Sequence, residues 1–560
     1  MSKFIQIYCK NLRKYIDVEG GDTLADLADC IRDELAFEPI CAIVNNKTEY
    51  LGFPLFAPKE VEFLSRTTPH GMKVYSRSLC MLLYRAVTAL DPSLSIHFEH
   101  SVSNGCFCRL FDADHHVVEA DAALASRILE QMRSLCARRL PFERREQLST
   151  DVEAIFREQH LKDKAELLAT TRELYTTYYV LDGMADSYNG PLAPDTGHIN
   201  VFNLEPYHGG LLLLEPDEKD PSRPAAAVPQ EKMFNAFREQ LRFNRVVRVS
   251  DVGQLNRTVE RGETAPLINV AEAMHDKMLG RISDEIAARQ KDGGARIVLM
   301  AGPSSSGKTT TSKRLGIQLM TNLIVPKMIS LDDYFVDREH TPLDSDGDYD
   351  YESLYALDLD HFNDDLRRLL AGEEIQLPTY SFELGRRVDK PRPLRLRDHE
   401  VLLIEGIHGL NPELTSTIPA ENLFKVYVSA LTTLHIDSHN WISTADTRLL
   451  RRIVRDYKYR HTSPVETIRR WPSVRRGEEK WIFPFQENAD AMFNSSLLFE
   501  LGVMREFALP LLENVPHNVP EYAVAYRLSR FLSYFAPIRP SQVPATSLLR
   551  EFLGGSSFRY

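Results

Sequence analysis

The chain is short of long hydrophobic runs, of cysteine and of positive charge. No apolar stretch approaches the ~18 residues that a membrane span requires. The opening "MSKFIQIYCKNLRKYIDVEGG" alternates like a strand, where a secretory leader would carry an apolar core. Seven cysteines are scattered through 560 residues. That excludes a disulfide framework and favours a reducing compartment. The net charge of −12 argues against a protein that coats nucleic acid non-specifically, while leaving room for a local basic face. These absences together lead us to expect a cytoplasmic protein with no membrane partner. What is present is ordinary globular composition: 43% apolar and 26% charged residues. At about 100–200 residues per domain, the length calls for roughly three to five units.

Residues 1–65 read as a small α+β unit, with the alternating "FIQIYC", the helix-spaced "TLADLADCIRDEL" and the turn signal Asn45-Asn46 after "ICAIVNN". Residues 66–215 are a second α+β region. In it "SIHFEHSVSNGCFCRLFD" is two strands around Ser103-Asn104-Gly105. Residues 216–290 are a linker, "PDEKDPSRPAAAVPQ", followed by a helix ending near Gly293-Gly294. From 291 to 512 strands alternate with helices, as a parallel α/β sheet requires. Residues 513–560 form a tail with one helix, "PEYAVAYRLSRFLSYF".

The most informative stretch is "AGPSSSGKTTTSKRLG". It satisfies G-x-x-x-x-G-K-[ST] with Gly302, Gly307, Lys308 and Thr309, between the apolar strand "RIVLMA" and the helix-spaced "KTTTSKRLGIQLM". In that setting the loop Gly302, Pro303, Ser304, Ser305, Ser306 and Gly307, with Lys308, Thr309 and Thr310, wraps the phosphate, its backbone N–H groups (all but that of Pro303, which has none) converging on it, aided by the helix N-terminus. Lys308 is expected at the β- and γ-phosphates and Thr309 at Mg²⁺. The motif points to ATP or GTP and is silent on the reaction.

Its surroundings narrow that. "KMISLDDYF" places Asp332 and Asp333 at the C-terminal end of a strand, where ligands bind in an open α/β sheet. A carboxylate there can take a proton from an attacking hydroxyl or hold Mg²⁺; capping a turn is the structural alternative. Asp344, Asp346 and Asp348 tempt a calcium-loop reading. That fails because the glycine falls at the fourth position and Tyr355 at the twelfth. The acidic loop is either solvated or reaches over a polyhydroxyl substrate, with Asp350 best placed. "HEVLLIEGIHGL" ends a buried strand in Glu405, either a metal carboxylate or a structural one. From Asp446 to Lys480 the chain turns basic, with eleven Lys or Arg against five Asp or Glu. Arg448, Arg451, Arg452 and Arg455 fall at helical spacing, either a solvated face or a lid over transferred phosphate.

"GPSSSGKTT", "SLDDYF", "YDYESLYALD", "LPTYSF", "LIEGIHGL" and "ADTRLLRRIVRD", in that order and rough spacing, resemble the uridine kinase and phosphoribulokinase family over about 295–512. The resemblance implies transfer of phosphate from ATP, with Mg²⁺, to a primary hydroxyl of a nucleoside or sugar phosphate. By position it implies Asp332 as catalytic base, and Thr309, Asp332 and Glu405 as the Mg²⁺ shell. Asp350 would grip the ribose, Tyr380 would lie near the base, and Arg448, Arg451 and Arg452 would serve as substrate and lid arginines. There are departures. Gly385 stands where uridine kinases have a histidine, followed by Arg386 and Arg387, which could read a charged substrate. Phe335 replaces a common tyrosine. About sixteen residues, "SALTTLHIDSHNWIST", separate strand "FKVYV" from the arginine helix.

The first half resembles other proteins. "YIDVEGGDTLADLA…AIVNN" is similar to the ubiquitin-like TGS domain. Residues 70–215, with "SNGCFCRL" and "GPLAPDTGHINVFNL", resemble the editing domain of threonyl-tRNA synthetases. The H-x-x-x-H and C-x-x-x-H positions of that site hold Arg77, Met81, Tyr188 and Leu192 here, so the resemblance implies a scaffold without its hydrolytic chemistry. His97, His100, Cys106 and Cys108 do not form a convincing replacement metal set. The fold expected is therefore multidomain: a C-terminal α/β P-loop kinase with a parallel sheet, behind α+β TGS-like and editing-like domains. The function expected is an ATP-dependent nucleoside kinase of uridine/cytidine type. A kinase for another sugar, polyol or charged alcohol is one alternative, and an RNA-associated nucleotide-binding regulator is another. A homo-oligomer fits any of them.

Overall fold

Asn45 and Asn46, the turn signal in "IVNN", both take left-handed backbone (φ 45° and 63°). That is the conformation a two-residue hairpin demands, and it joins strands Cys41–Val44 and Lys47–Glu49. In the computed structural model, which describes residues 4–344 and 347–559, these strands close one edge of a five-stranded sheet. Lys14–Glu19, Phe4–Cys9 and Lys59–Leu64 complete it. Helix Leu24–Cys30 packs on the sheet behind a reciprocal cap between Thr23 and Asp26.

Helix Pro69–Leu90 opens the second region and is buried along most of its length, because "LCMLLY" leaves it no polar face there. It lies with helix Ala122–Ala137 against strands Ser95–Val102, Gly105–Phe111, Gly210–Leu214 and Asn203–Tyr207. Ser103 and Asn104 (φ 56° and 62°) make the predicted turn. The sequence reading did not find strand Glu143–Leu148. Every residue of "ERREQL" is exposed, so it shows no alternation, yet it pairs along Tyr175–Leu181.

The stretch read as a linker is fastened down. The Ser103 hydroxyl accepts from the Val228 N–H (2.9 Å), and the Asn104 amide donates to the Ala226 carbonyl (3.1 Å). Three helices follow where one was expected: Glu231–Val247, Val252–Glu260 and Thr264–Lys291. The last is tied to the P-loop helix by Arg314, whose guanidinium meets Glu272 (3.0 Å) and Asp276 (2.8 Å).

The C-terminal sheet is parallel throughout, in the order Val325–Ser330, Glu400–Glu405, Ile297–Ala301, Leu423–Ser429, Ala491–Asn494. Its central strand Ile297–Ala301 is wholly buried, as a strand covered on both faces must be. The insertion 429–444 becomes a short hairpin, His435–Asp437 with Asn440–Trp441. It plugs into the front half. Lys164 is sealed between Asp186 and Asp437 (2.8 Å each). His439 Nδ1 lies 2.8 Å from Asp186, and the Ser438 carbonyl accepts from the Phe98 N–H (2.8 Å). The tail carries helix Tyr522–Ser533 and then returns across the P-loop, where Leu548 packs on Gly307. Among the described residues no helix is long and apolar enough to cross a membrane.

Candidate active site

The loop 302–307 leaves the end of strand Ile297–Ala301 and enters helix Lys308–Thr321. Gly302 must be glycine, since a Cβ there would run into the Val428 carbonyl. Gly307 turns the chain at φ 87°. Lys308 Nζ donates to the Gly302 (2.8 Å) and Pro303 (3.2 Å) carbonyls. Burial lowers its pKa, and the nearby carboxylates Glu405, Asp332, Glu551 and Glu352 oppose that. The buried hydroxyls of Ser305 and Ser306 have no hydrogen-bond partner among the described residues. Unpaired buried donors are costly, so these two suit a loop built to meet phosphate.

Asp332 and Asp333 fall just beyond strand Val325–Ser330, in the 3-10 turn Leu331–Tyr334, whose start is capped by Ser330. The turn separates their fates. Asp333 is ion-paired with Arg392 at 2.8 Å. Asp332 has no ion pair among the described residues; its carboxylate is reachable from solvent yet surrounded by protein groups. Those surroundings raise its pKa, against the pull of Lys308, Arg460 and Arg455. Glu405 accepts from the Thr309 hydroxyl (3.1 and 3.2 Å). Burial, with Asp332 and Glu551 adding to it, pushes its pKa to about 7 against the opposing charge of Lys308. Glu352, not singled out in the sequence, is also held at about 7, first by burial and then by Glu478. Thr309, Asp332 and Glu405 therefore form a sparse oxygen set around a surplus of negative charge. That fits Mg²⁺, which keeps water and phosphate among its ligands.

The arginine helix is Thr444–Arg460. Arg448 and Arg451 are not lid residues in this structure: they are 1% and 0% exposed. Arg448 pairs with Glu478 and donates to the Ser304 carbonyl (3.1 Å). Arg451 pairs with Glu500 and donates to the Ser305 and Ser306 carbonyls (3.4 and 3.3 Å). Both reach the outer side of the loop, where they fix its shape. Arg452 reaches the Ser304 hydroxyl (2.8 Å), while Arg455 and Arg460 share Asp456 and lie toward Asp332. Two glutamates missed by sequence also meet the loop. Glu478 accepts from the Ser304 N–H (3.1 Å), and Glu551, from the tail, accepts from the Thr310 N–H (3.1 Å) and hydroxyl (2.6 Å). No local signal marks Glu551, because it comes from a segment 241 residues away.

On the acceptor side, Asp350 bonds the Glu352 N–H (3.2 Å) at the mouth of the acidic loop; Asp346 lies outside the described residues. Tyr380 joins Phe335 and Phe382 in an aromatic cluster (5.6 and 5.1 Å between centroids). Gly385 turns at φ 67°, and the Arg338 guanidinium fills the space where its side chain would be. Arg387 is committed to Asp358 (3.1 Å) and the Tyr334 carbonyl (3.2 Å), leaving Arg386 exposed.

Residues 297–497 match the phosphoribulokinase / uridine kinase family. The C-terminal half carries a P-loop kinase domain. A uridine kinase of Brevibacillus brevis is 29% identical over 197 residues, 35% of this chain and 83% of that protein. The N-terminal half is similar instead to threonine–tRNA ligases. That of Rubrobacter xylanophilus is 26% identical over 231 residues, 41% of this chain. The chain spans about a third (35%) of that ligase's length. Among solved structures, a possible uridine kinase from Bacillus stearothermophilus matches 38% of this chain and 98% of its own, at 21% identity and TM-score 0.25. The kinase domain is thus joined to a front half of separate kinship.

Proposed function

We propose that the chain transfers phosphate from ATP, with Mg²⁺, to the 5′-hydroxyl of a nucleoside of uridine or cytidine type. The observation that carries this is the division of labour at the end of strand Val325–Ser330. Asp333 is neutralised by Arg392, while Asp332 stays open beside Lys308 and Glu405. Asp332 takes the proton from the acceptor hydroxyl. Lys308 and the remaining N–H groups of the loop Gly302–Thr309 hold the phosphates, and Arg448 and Arg451 keep that loop in shape. Arg452 and Arg455 face the charge that develops in transfer. Thr309, Glu405 and Asp332 would hold Mg²⁺, which supplies neutralisation of phosphate charge. In this reading Asp350 binds the sugar hydroxyls, and Phe382, backed by Phe335 and Tyr380, meets a flat base.

Gly385, with Arg338 beside it, favours a second reading: another sugar, polyol or charged alcohol as acceptor. For the front half we propose a TGS-like unit over 1–65 and an editing-like scaffold over 66–215. At the former editing positions Met81 and Leu192 are buried apolar residues, and the Tyr188 hydroxyl is spent on Asp186. Asp332→Asn tests the reading. Turnover should fall about 10²–10⁴-fold while ATP binding, followed by calorimetry, persists. Turnover within twofold of the wild type would end the assignment.

A further inference from the structure

A second charged cavity, of about 630 Å³, lies in the front half between the TGS-like unit, helix Pro69–Leu90 and tail helix Tyr522–Ser533. That volume suits one small metabolite. Most of its cations are matched at short range. Lys47 pairs with Glu49 (2.8 Å), Arg144 with Glu146 (3.3 Å), Arg530 with Glu173 (2.7 Å) and Lys164 with Asp437 (2.8 Å). Arg527 takes Asp446 with both nitrogens (2.6 and 2.8 Å), which leaves Lys73 at 3.8 Å from that carboxylate. Lys73 and Arg77 are therefore the two lining cations without a close carboxylate of their own among the described residues. The only acceptor of Arg77 among the described residues is the Pro191 carbonyl (3.1 and 2.9 Å). Glu215 shares the adjoining chamber with Lys73 and offers it a further, distant counter-charge; burial raises its pKa against the pull of Lys73. Lys73 is held down to about 8, first by Arg527, and burial takes Arg77 down to about 10. Around these cations stand the tyrosines Tyr50, Tyr175, Tyr179, Tyr188, Tyr526 and Tyr534.

We propose that this cavity binds a free nucleotide-sized phosphate ester, with the phosphate between Lys73, Arg77 and Arg527 and a planar group against the tyrosines. A cavity lined by seven Lys or Arg against four Asp or Glu calls for an anion, a guanidinium favours phosphate, and tyrosine faces favour a base. Carboxylate-bearing Asp446 lies in the first turn of the helix whose Arg448 holds the P-loop. The cavity therefore adjoins the kinase site mechanically without being part of it.

The experiment is calorimetric titration of full-length Lys308→Ala, in which the P-loop is disabled, with inorganic phosphate and with AMP. AMP should bind saturably and about tenfold or more tighter than phosphate. Adding Arg77→Gln should weaken AMP at least tenfold, and Lys73→Met, at a half-exposed position that spares the fold, at least threefold. AMP affinity that ignores both substitutions, or that equals the affinity for phosphate, would overturn the proposal. A short single-stranded RNA that binds more tightly than AMP and is lost on the same substitutions would overturn the free-nucleotide assignment. Turnover is not the readout, so the result is independent of the proposed phosphoryl transfer.

Discussion

Helix Thr444–Arg460 runs between two cavities of opposite electrical character. At the P-loop, the carboxylates Glu405, Asp332, Glu551 and Glu352 crowd Lys308, and Glu405 and Glu352 are pushed to about 7. At the start of the same helix, Arg527 and Lys73 crowd Asp446 and hold its pKa well down, while Lys73 and the nearby Arg77 are themselves lowered. Each imbalance would be costly if it served only the fold. The sign of the surplus in each cavity names the charge of the partner it is built to take: a cation with phosphate at one, an anion at the other.

The sharpest way to break this comparison is to disturb the helix that links the two cavities. Arg451→Ala leaves Glu500 buried without its partner and releases the Ser305 and Ser306 carbonyls. It should cost about 3–5 kcal/mol in urea unfolding. Arg460→Ala, at the exposed end of the same helix, should stay within about 0.5 kcal/mol. Equal losses would mean that the buried arginines do not organise the loop.

Next in size is Glu405→Gln. The folded pKa of about 7 lies above the unfolded value of 4.5, so the native state holds more protons between those limits. The contribution of Glu405 to stability therefore falls as pH rises from about 4.5 to 7. In Mg²⁺-free buffer at pH 8 the variant should be more stable than wild type by roughly 1–3 kcal/mol, with the advantage absent at pH 4.5, while turnover with Mg²⁺ is lost. Unchanged stability at pH 8 would remove the negative surplus from the account. The smallest effect is expected at Glu551→Gln. Weakening the tail carboxylate at the Thr310 N–H frees a donor for the nucleotide phosphates, and ATP affinity should rise several-fold in a fluorescence titration. An affinity that falls instead would make Glu551 part of the nucleotide site.

Much of the C-terminal half was legible in the sequence. The glycines, Lys308 and Thr309 carry their own spacing, and the apolar strands that end in Asp332 and Glu405 announce where the parallel sheet delivers them. The Asn45-Asn46 and Ser103-Asn104 turns were equally plain, because left-handed backbone has few tolerant residues. What escaped was set by distant contacts. The burial of Arg448 and Arg451 depends on Glu478 and Glu500, and nothing in helical spacing tells a solvated arginine from a clamped one. Strand Glu143–Leu148 has no apolar face to betray it. The insertion 429–444 could be seen as an excess of residues, but its use as a plug depends on Lys164 and Asp186 in the other half of the chain. The stretch 216–230 reads as a linker by composition, and only its bonds to Ser103 and Asn104 show it anchored.

The central claim is most directly tested by incubating the purified full-length protein with ATP, Mg²⁺ and a panel of nucleosides, sugars and polyols, and identifying products by mass spectrometry. Uridine or cytidine should acquire one phosphate on the 5′-oxygen, and Asp332→Asn should abolish it. Tight ATP binding with no alcohol in the panel phosphorylated would contradict the account.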